Sequence, residues 1–157
     1  MANVNDSTSA DLIQEVHNWA RENKAGVVEL NAKLEADVMA LPEEERAPFR
    51  EALGLKESGL DRLAKAGEQL LELITFFAAG PKEAHAWHVR AKSSITTAAG
   101  KIHSDLERGF IRAEVYNVAD LKEAGSEQAL RSKGKIRMEG RDYITQDGDV
   151  VHIHFKV

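Results

Sequence analysis

Cysteine is absent from the 157 residues, which removes disulfides, thiolate nucleophiles, zinc ribbons and iron–sulfur ligation together. Long apolar runs are missing as well. None approaches the ~20 residues that cross a bilayer, and the opening MANVNDSTSADLIQE is polar and acidic, where an export signal is basic and then apolar. A cytoplasmic protein with no membrane partner is expected. Phosphate chemistry lacks its signature too. A P-loop needs G-x4-G-K-[ST], so that backbone amides, a lysine and a hydroxyl converge on phosphate and Mg. The two Gly-Lys pairs, at Gly100 and Gly134, are each followed by Ile, and no glycine precedes them at the required spacing. The serines stand at helix starts, where capping accounts for them, and form no triad spacing.

What is present is an ordinary apolar fraction, 43%, and a formal charge of −5 that is unevenly divided. Residues 1–73 carry 8 basic and 15 acidic side chains; residues 74–157 carry 13 and 11, with five of the six histidines. That asymmetry points to two modules. In the first, Ser7, Thr8 or Ser9 caps a helix whose stripe is Leu12, Ile13, Val16 and Trp19 or Ala20, with Gly26 as its stop. A short strand over 27–30 follows, then a helix capped by Asn31, a third opened by Pro42 and ended by Gly54, and a fourth opened by Ser58. Leu60, Leu63, Leu70 and Leu71 of the fourth are expected to point inward.

The second module changes from helical period to two-residue alternation. ITFFAAG, a turn at Gly80 and Pro81, and EAHAWHVRA read as a strand pair. Ser93 or Ser94 caps one short helix over SITTAAGKIHSDL, and residues 110–118 form a third strand with Ile111, Ala113 and Val115 on one face. A polar, basic stretch of helix or loop comes next, then a strand at 143–145, an Asp147-Gly148 hairpin and a last strand, VVHIHFKV. The fold class is therefore α+β, a mainly helical N-terminal segment followed by a β-grasp sheet with one helix across it. Trp19, Trp87, Phe76, Phe77, Phe110 and Phe155 sit in apolar periodic runs and read as core.

Two constellations invite a chemical reading. His152 and His154 share one strand face, and His85 and His88 lie on another strand, but without Cys, paired carboxylates or an i, i+4 His pair they read as solvent-facing histidines, with no metal site. The basic run Arg131, Lys133, Lys135, Arg137 and Arg141, relieved only by Glu139, reads either as phosphate contacts that track a nucleic-acid backbone or as a solvated face. Arg90, Lys92 and Lys101 form a second group.

The stretch AWHVRAKSSITTAAGKIHSDLERGFIRAEV, with EGRDYITQDGDVVHIHFKV after it, resembles the C-terminal TGS (ubiquitin-like) domain of the YchF / Obg-like ATPase family, GPKEAHAW and DGDVVHIHF being its most specific parts. Upstream, LNAKLEADVMALPEEERAPFREALGLKESGLDRLAKAGEQLLELITFFAAG resembles the end of that family's nucleotide-binding domain and its connector. The resemblance thus divides the chain into residues 1–73, the end of a P-loop domain plus connector, and 74–157, a TGS domain. Asn3 to Asp6 stands at the family's Asn-x-x-Glu base motif, linked to adenine preference, with Asp6 for Glu. Asn31-Ala32 stands at its base loop, with Asn31 for a small polar residue. Asn3, Asp6, Asn31 and Ala32 are accordingly a nucleotide-base remnant. The family uses ATP or GTP with Mg, yet its P-loop, Mg-holding residues and catalytic His correspond to nothing in this sequence. Phosphate neutralisation and water positioning are nearly the whole of such catalysis, so no cofactor and no hydrolysis are expected of this chain. The resemblance implies a non-catalytic module that binds the ribosome or RNA. The alternative is a protein–protein interaction module that pairs through its sheet or through an edge strand at 110–118. Self-association is expected if Leu12, Val16, Val27, Val28 and Leu30 are left facing water.

Overall fold

A computed structural model describes residues 1–5, 7–55, 57–80 and 83–156. Asp6, in the base motif, and Pro81 and Lys82, in the expected turn and the GPKEAHAW motif, lie outside the described residues. The chain divides into two compact units, Met1–Leu71 and Glu72–Val157.

The first unit runs β1 (Ala2–Asn3), α1 (Ala10–Glu22), β2 (Glu29–Leu30), α2 (Ala32–Met39), α3 (Glu43–Ala52) and α4 (Gly59–Leu70). Its helix starts are set by local chemistry. Ser9, Asn31 and Ser58 accept from the amides of Leu12, Leu34 and Asp61, each satisfying a donor the helix cannot. β1 and β2 pair in parallel, Ala2 beside Glu29 and Asn3 beside Leu30. Among the described residues of this unit only Ala20, Leu30, Val38 and Gly59 are buried. Gly59 makes a close approach: its amide donates to Glu35 Oε1 at 2.6 Å, and a Cβ there would press on the same carboxylate. Arg46 binds the carbonyls of Leu41 and Met39, tying α3 to the end of α2.

Several expected core positions of this unit are on the surface. Leu60, Leu70 and Leu71 are 73%, 69% and 60% exposed, and Leu12, Leu63 and Trp19 are also exposed. The 3.6-residue period correctly marks an apolar face but does not say what covers it. The helix α1 also stops earlier than Gly26, through Lys24 at φ 51.

The second unit runs β3 (Leu73–Ala79), β4 (Ala84–Arg90), α5 (Ile95–Ile102), α6 (Ser104–Arg108), β5 (Phe110–Asn117), α7 (Val118–Ala124), α8 (Glu127–Ser132), β6 (Arg137–Glu139) and β7 (Asp149–Phe155). Its mixed sheet has the order β4-β3-β7-β5-β6, the β-grasp arrangement in which first and last strands lie side by side in parallel. One face packs on α5 through Phe76, Val89, Ile95, Ala98, Ala99, Phe110, Ala113, Val115 and Val151. The other is partly covered by α7 and α8 through Tyr116, Leu130 and Val150. Burying Phe76, Ile95 and Leu130 fully stabilises by about 1.5–3 kcal/mol each.

Six expectations for this unit are corrected. A bulge between Phe110 and Arg112 changes the phase of β5, so Phe110, Ala113 and Val115 face the core and Ile111 is 56% exposed. Phe155 is half-exposed at the end of β7. The helix over SITTAAGKIHSDL breaks at His103, whose φ of −162° and ψ of 142° are extended. Residues 143–145 make only an isolated bridge, Ile144 to Ser94, and no strand. The Asp147-Gly148 turn therefore joins no hairpin. Gly148 adopts the left-handed φ of 78° expected of such a turn, but its amide donates to Thr75 O while Asp147 Oδ1 accepts from Thr75 N. The turn is docked on β3, which sends β7 between β3 and β5. Finally β5 is an interior strand, flanked by β7 and β6, so the edge strand imagined at 110–118 does not exist; the sheet edges are β4 and β6.

Candidate basic surface

The basic run lies along α8, the turn after it and β6, and most of its charge is matched locally. Arg131 donates to Glu114 Oε2 at 2.6 Å, with Glu127 3.7 Å away. The Arg131 hydrogen bond holds the Glu114 carboxyl below its ordinary pKa and raises that of Arg131 in turn. Lys135 donates to Asp120 at 2.6 Å and lies 3.5 Å from Glu123, and the Asp120 bond raises its pKa. Burial works to depress the Arg137 pKa, but it is outweighed by the hydrogen bond to Tyr143 and by nearby Glu139 and Asp149. Arg141 spends one nitrogen on Phe110 O at 2.9 Å. Lys133, the C-cap of α8, makes no side-chain bond or ion pair among the described residues.

Asp149 is the buried anchor of this region. Only 1% exposed, it accepts from Tyr143 Oη and from the Gln146 amide, both at 2.8 Å on Oδ2, while Arg137 stands 3.9 Å from Oδ1. Burial, with the bond to Asp149, pushes the Tyr143 phenol up to about 12. The Arg137 guanidinium lies 5.3 Å from the Tyr143 ring centroid. The run thus builds a salt-bridged brace between α7, α8, β5 and β6 as well as a positive surface.

The second cationic group is elsewhere on the unit. Arg90 ends β4, Lys92 is exposed at the tip of the following turn with φ 67°, and Lys101 is exposed on α5. No carboxylate among the described residues pairs with these three. The histidines divide as well. His152 and His154 are edge-to-face at 5.3 Å and line a groove of about 310 Å³ with Glu114 and Arg131; His85 lies 3.2 Å from Glu83. Among the described residues no three His, Asp or Glu side chains are grouped to hold a metal ion, and no helix is long and apolar enough to cross a membrane.

Of the base-remnant residues, Asn3, Asn31 and Ala32 are brought together in the first unit by the β1–β2 pair. Asn3 Oδ1 accepts from the Ala32 amide at 3.0 Å, and Asn31 Oδ1 accepts from the Leu34 amide at 3.0 Å. Both side-chain oxygens are committed to backbone amides. The counter-charges of the basic run, Glu114 and Asp120, were not foreseen. They are 15 or more residues away in sequence from the cations they engage, and only the sheet and the α7–α8 pair bring them close.

Residues 73–156 match the family model YchF-GTPase_C, described as a protein of unknown function, DUF933. The whole chain is 41% identical to the ribosome-binding ATPase YchF of Bacillus subtilis and 42% identical to that of Escherichia coli O157:H7, covering 44% of each. The chain thus spans less than half the length of these relatives. The YchF GTPase of Schizosaccharomyces pombe superposes with a TM-score of 0.79 at 28% identity, over 90% of this chain and 38% of that one. A GTP binding protein from Pyrococcus horikoshii OT3 shares the fold, with a TM-score of 0.67 at 19% identity over 96% of this chain and 43% of that one.

Proposed function

We propose that this chain, which belongs to the YchF family, is a ribosome-binding module that engages its partner without hydrolysing nucleotide. The observation that carries the reading is the alignment of the entire chain, at 41–42% identity, with proteins named for ribosome binding. RNA is the natural contact, because the ribosome's surface is dominated by phosphate and this chain's second half holds its excess of basic side chains. The exposed, uncommitted cations Lys133, Arg90, Lys92 and Lys101 are the first candidates for phosphate contact, and Arg141 keeps part of its guanidinium for the same role. Arg131, Lys135 and Arg137 contribute less, since each must give up a carboxylate to reach phosphate. ATP, GTP and Mg belong to the longer relatives' activity on this reading and are not needed for binding, and the site of action is cytoplasmic.

Co-sedimentation with ribosomes at low and raised salt, with and without ATP, tests this. The expected result is ATP-independent binding whose logarithm falls linearly with log salt; absence of binding at every salt concentration overturns it. A second reading is favoured by one feature: β4 is an open edge of seven residues, which a strand of a protein partner can extend by backbone hydrogen bonds. RNase-resistant capture of a protein partner, lost when β4 is interrupted by proline, distinguishes it.

A further inference from the structure

β7 is an interior strand over only part of its length. Its pairing with β3 ends where Ala78 lies beside Val151, while β7 itself runs on against β5 as far as Phe155. In an antiparallel ladder alternate residues turn their amide and carbonyl to opposite sides. The Val118 amide donates to Gly148 O and the Lys156 amide to Gly109 O, so Val150, His152 and His154 turn toward β5, and Val151 and Ile153 toward β3. Ile153 therefore presents its amide and carbonyl beyond the end of the β3 ladder, where no backbone group among the described residues meets them. At the near end of this gap His152 Nδ1 lies 3.3 Å from Ala79 O.

A cavity opens on each side of the gap. On the α5–α6 side it measures about 280 Å³ and is lined by Ala78, Ile102, Leu106 and Ile153, with Glu83 and His85 also in its wall. On the α8 side is the groove of about 310 Å³ that holds Glu114, Glu127, Arg131, His152 and His154. The two share Ala79, Gly80, Val151 and His152, so they meet across β7. A strand laid in the gap can bond to Ile153 and send successive side chains to opposite faces, one into the apolar cavity and the next into the groove. Charge selects the second side chain. The two cavities hold Glu83, Glu114 and Glu127 against Arg131 alone, and the Arg131 bond goes to Glu114. The Glu127 carboxylate, 55% exposed, stands 3.7 Å from Arg131, and that of Glu83 is 73% exposed. A lysine or arginine suits this surplus of carboxylates; a glutamate is repelled by it.

We propose that this gap binds an extended segment of a partner protein in which an aliphatic residue alternates with a lysine or arginine. The inference goes beyond the ribosome-binding reading and does not depend on it. Its test uses the full chain and fluorescein-labelled octapeptides that alternate lysine with isoleucine, glutamate with isoleucine, or lysine with serine, together with a fully N-methylated form of the first. Fluorescence anisotropy is expected to show the lysine–isoleucine peptide binding roughly tenfold tighter than either altered sequence, and its N-methylated form not binding, because the backbone donors are gone. E83Q/E127Q changes two exposed side chains, so the fold stands, and is expected to weaken the lysine–isoleucine peptide roughly threefold or more. Amide hydrogen exchange places the contact. The Ile153 amide is expected to slow roughly tenfold or more at saturating peptide, while the amides of Ala84 and Ala86 on β4 exchange as before. Protection at β4 in place of Ile153 overturns the inference in favour of the β4 edge. Equal affinity for the lysine and glutamate peptides, undiminished binding of the serine or N-methylated peptide, or no binding of any peptide also overturns it.

Discussion

The two units of this chain solve the burial problem differently. Glu72–Val157 has a sheet with a core on each face, a cluster of nine buried residues on the α5 side and one of three on the α7–α8 side, so its apolar period is spent inside. Met1–Leu71 has four amphipathic helices and a two-stranded parallel pair, yet leaves Leu12, Trp19, Leu60, Leu70 and Leu71 at the surface. Parallel strands elsewhere are almost always covered on both faces. The comparison teaches that the same sequence signal, an apolar stripe at regular spacing, means core in one unit and an uncovered face in the other. What decides is the number of layers available to pack.

The strongest way to break the comparison is to remove the second unit's core. Phe76 is fully buried at the centre of the α5 face, and Phe76→Ala is expected to cost about 3–5 kcal/mol. Hydrogen exchange checks it residue by residue. Protection is expected to collapse across β3, β5 and β7 while the amides of α1 and α4 exchange as before; an equal loss in both units overturns the idea that the second holds itself together.

A smaller effect is expected at Asp149. Asp149→Ala leaves Tyr143 Oη and the Gln146 amide without their acceptor, at a cost of about 1–3 kcal/mol, and chemical denaturation measures it. The raised phenol pKa of Tyr143, about 12, gives a pH test of the same brace. The folded state holds this proton more tightly than the unfolded chain, whose tyrosines titrate near 10. The stability it contributes is therefore fully present below about pH 10 and lost as pH rises towards 12. Ultraviolet titration of the phenols should show the late step in the wild type, and it should move earlier in Asp149→Ala.

Much of this architecture is legible in the sequence wherever the determinant is local. Ser9, Asn31, Ser58 and Ser94 cap the helices they precede because the oxygen and the amide it serves are three residues apart. Gly148 is readable as a turn for the same reason. Its partner is not, because Thr75 lies on a strand more than 70 residues earlier. The phase of β5 fails at Ile111 because a bulge follows Phe110, beside backbone oxygens of Gly109 and Phe110 that bond to Lys156 and Arg141, residues distant in sequence. The candidate surface divides in the same way. A run of five cations is visible as a run, but its matching by Glu114 and Asp120 is a property of the fold.

The smallest expected effect sharpens the comparison most. Leu60 and Leu70 stand at either end of α4, 73% and 69% exposed, so L60S/L70S removes little buried area and is expected to change stability by less than about 0.5 kcal/mol per site. The helix itself should persist, since Ser58 still caps it and Lys65 still pairs with Glu57. Association is the more sensitive readout. Exposed apolar side chains in one unit favour contact between copies, so sedimentation velocity across a concentration series is expected to show the wild type shifting to larger species and the double variant shifting less. A loss of 2 kcal/mol or more on chemical denaturation would mean that these leucines are buried in solution. The first unit would then have the second layer that separates it here from the sheet.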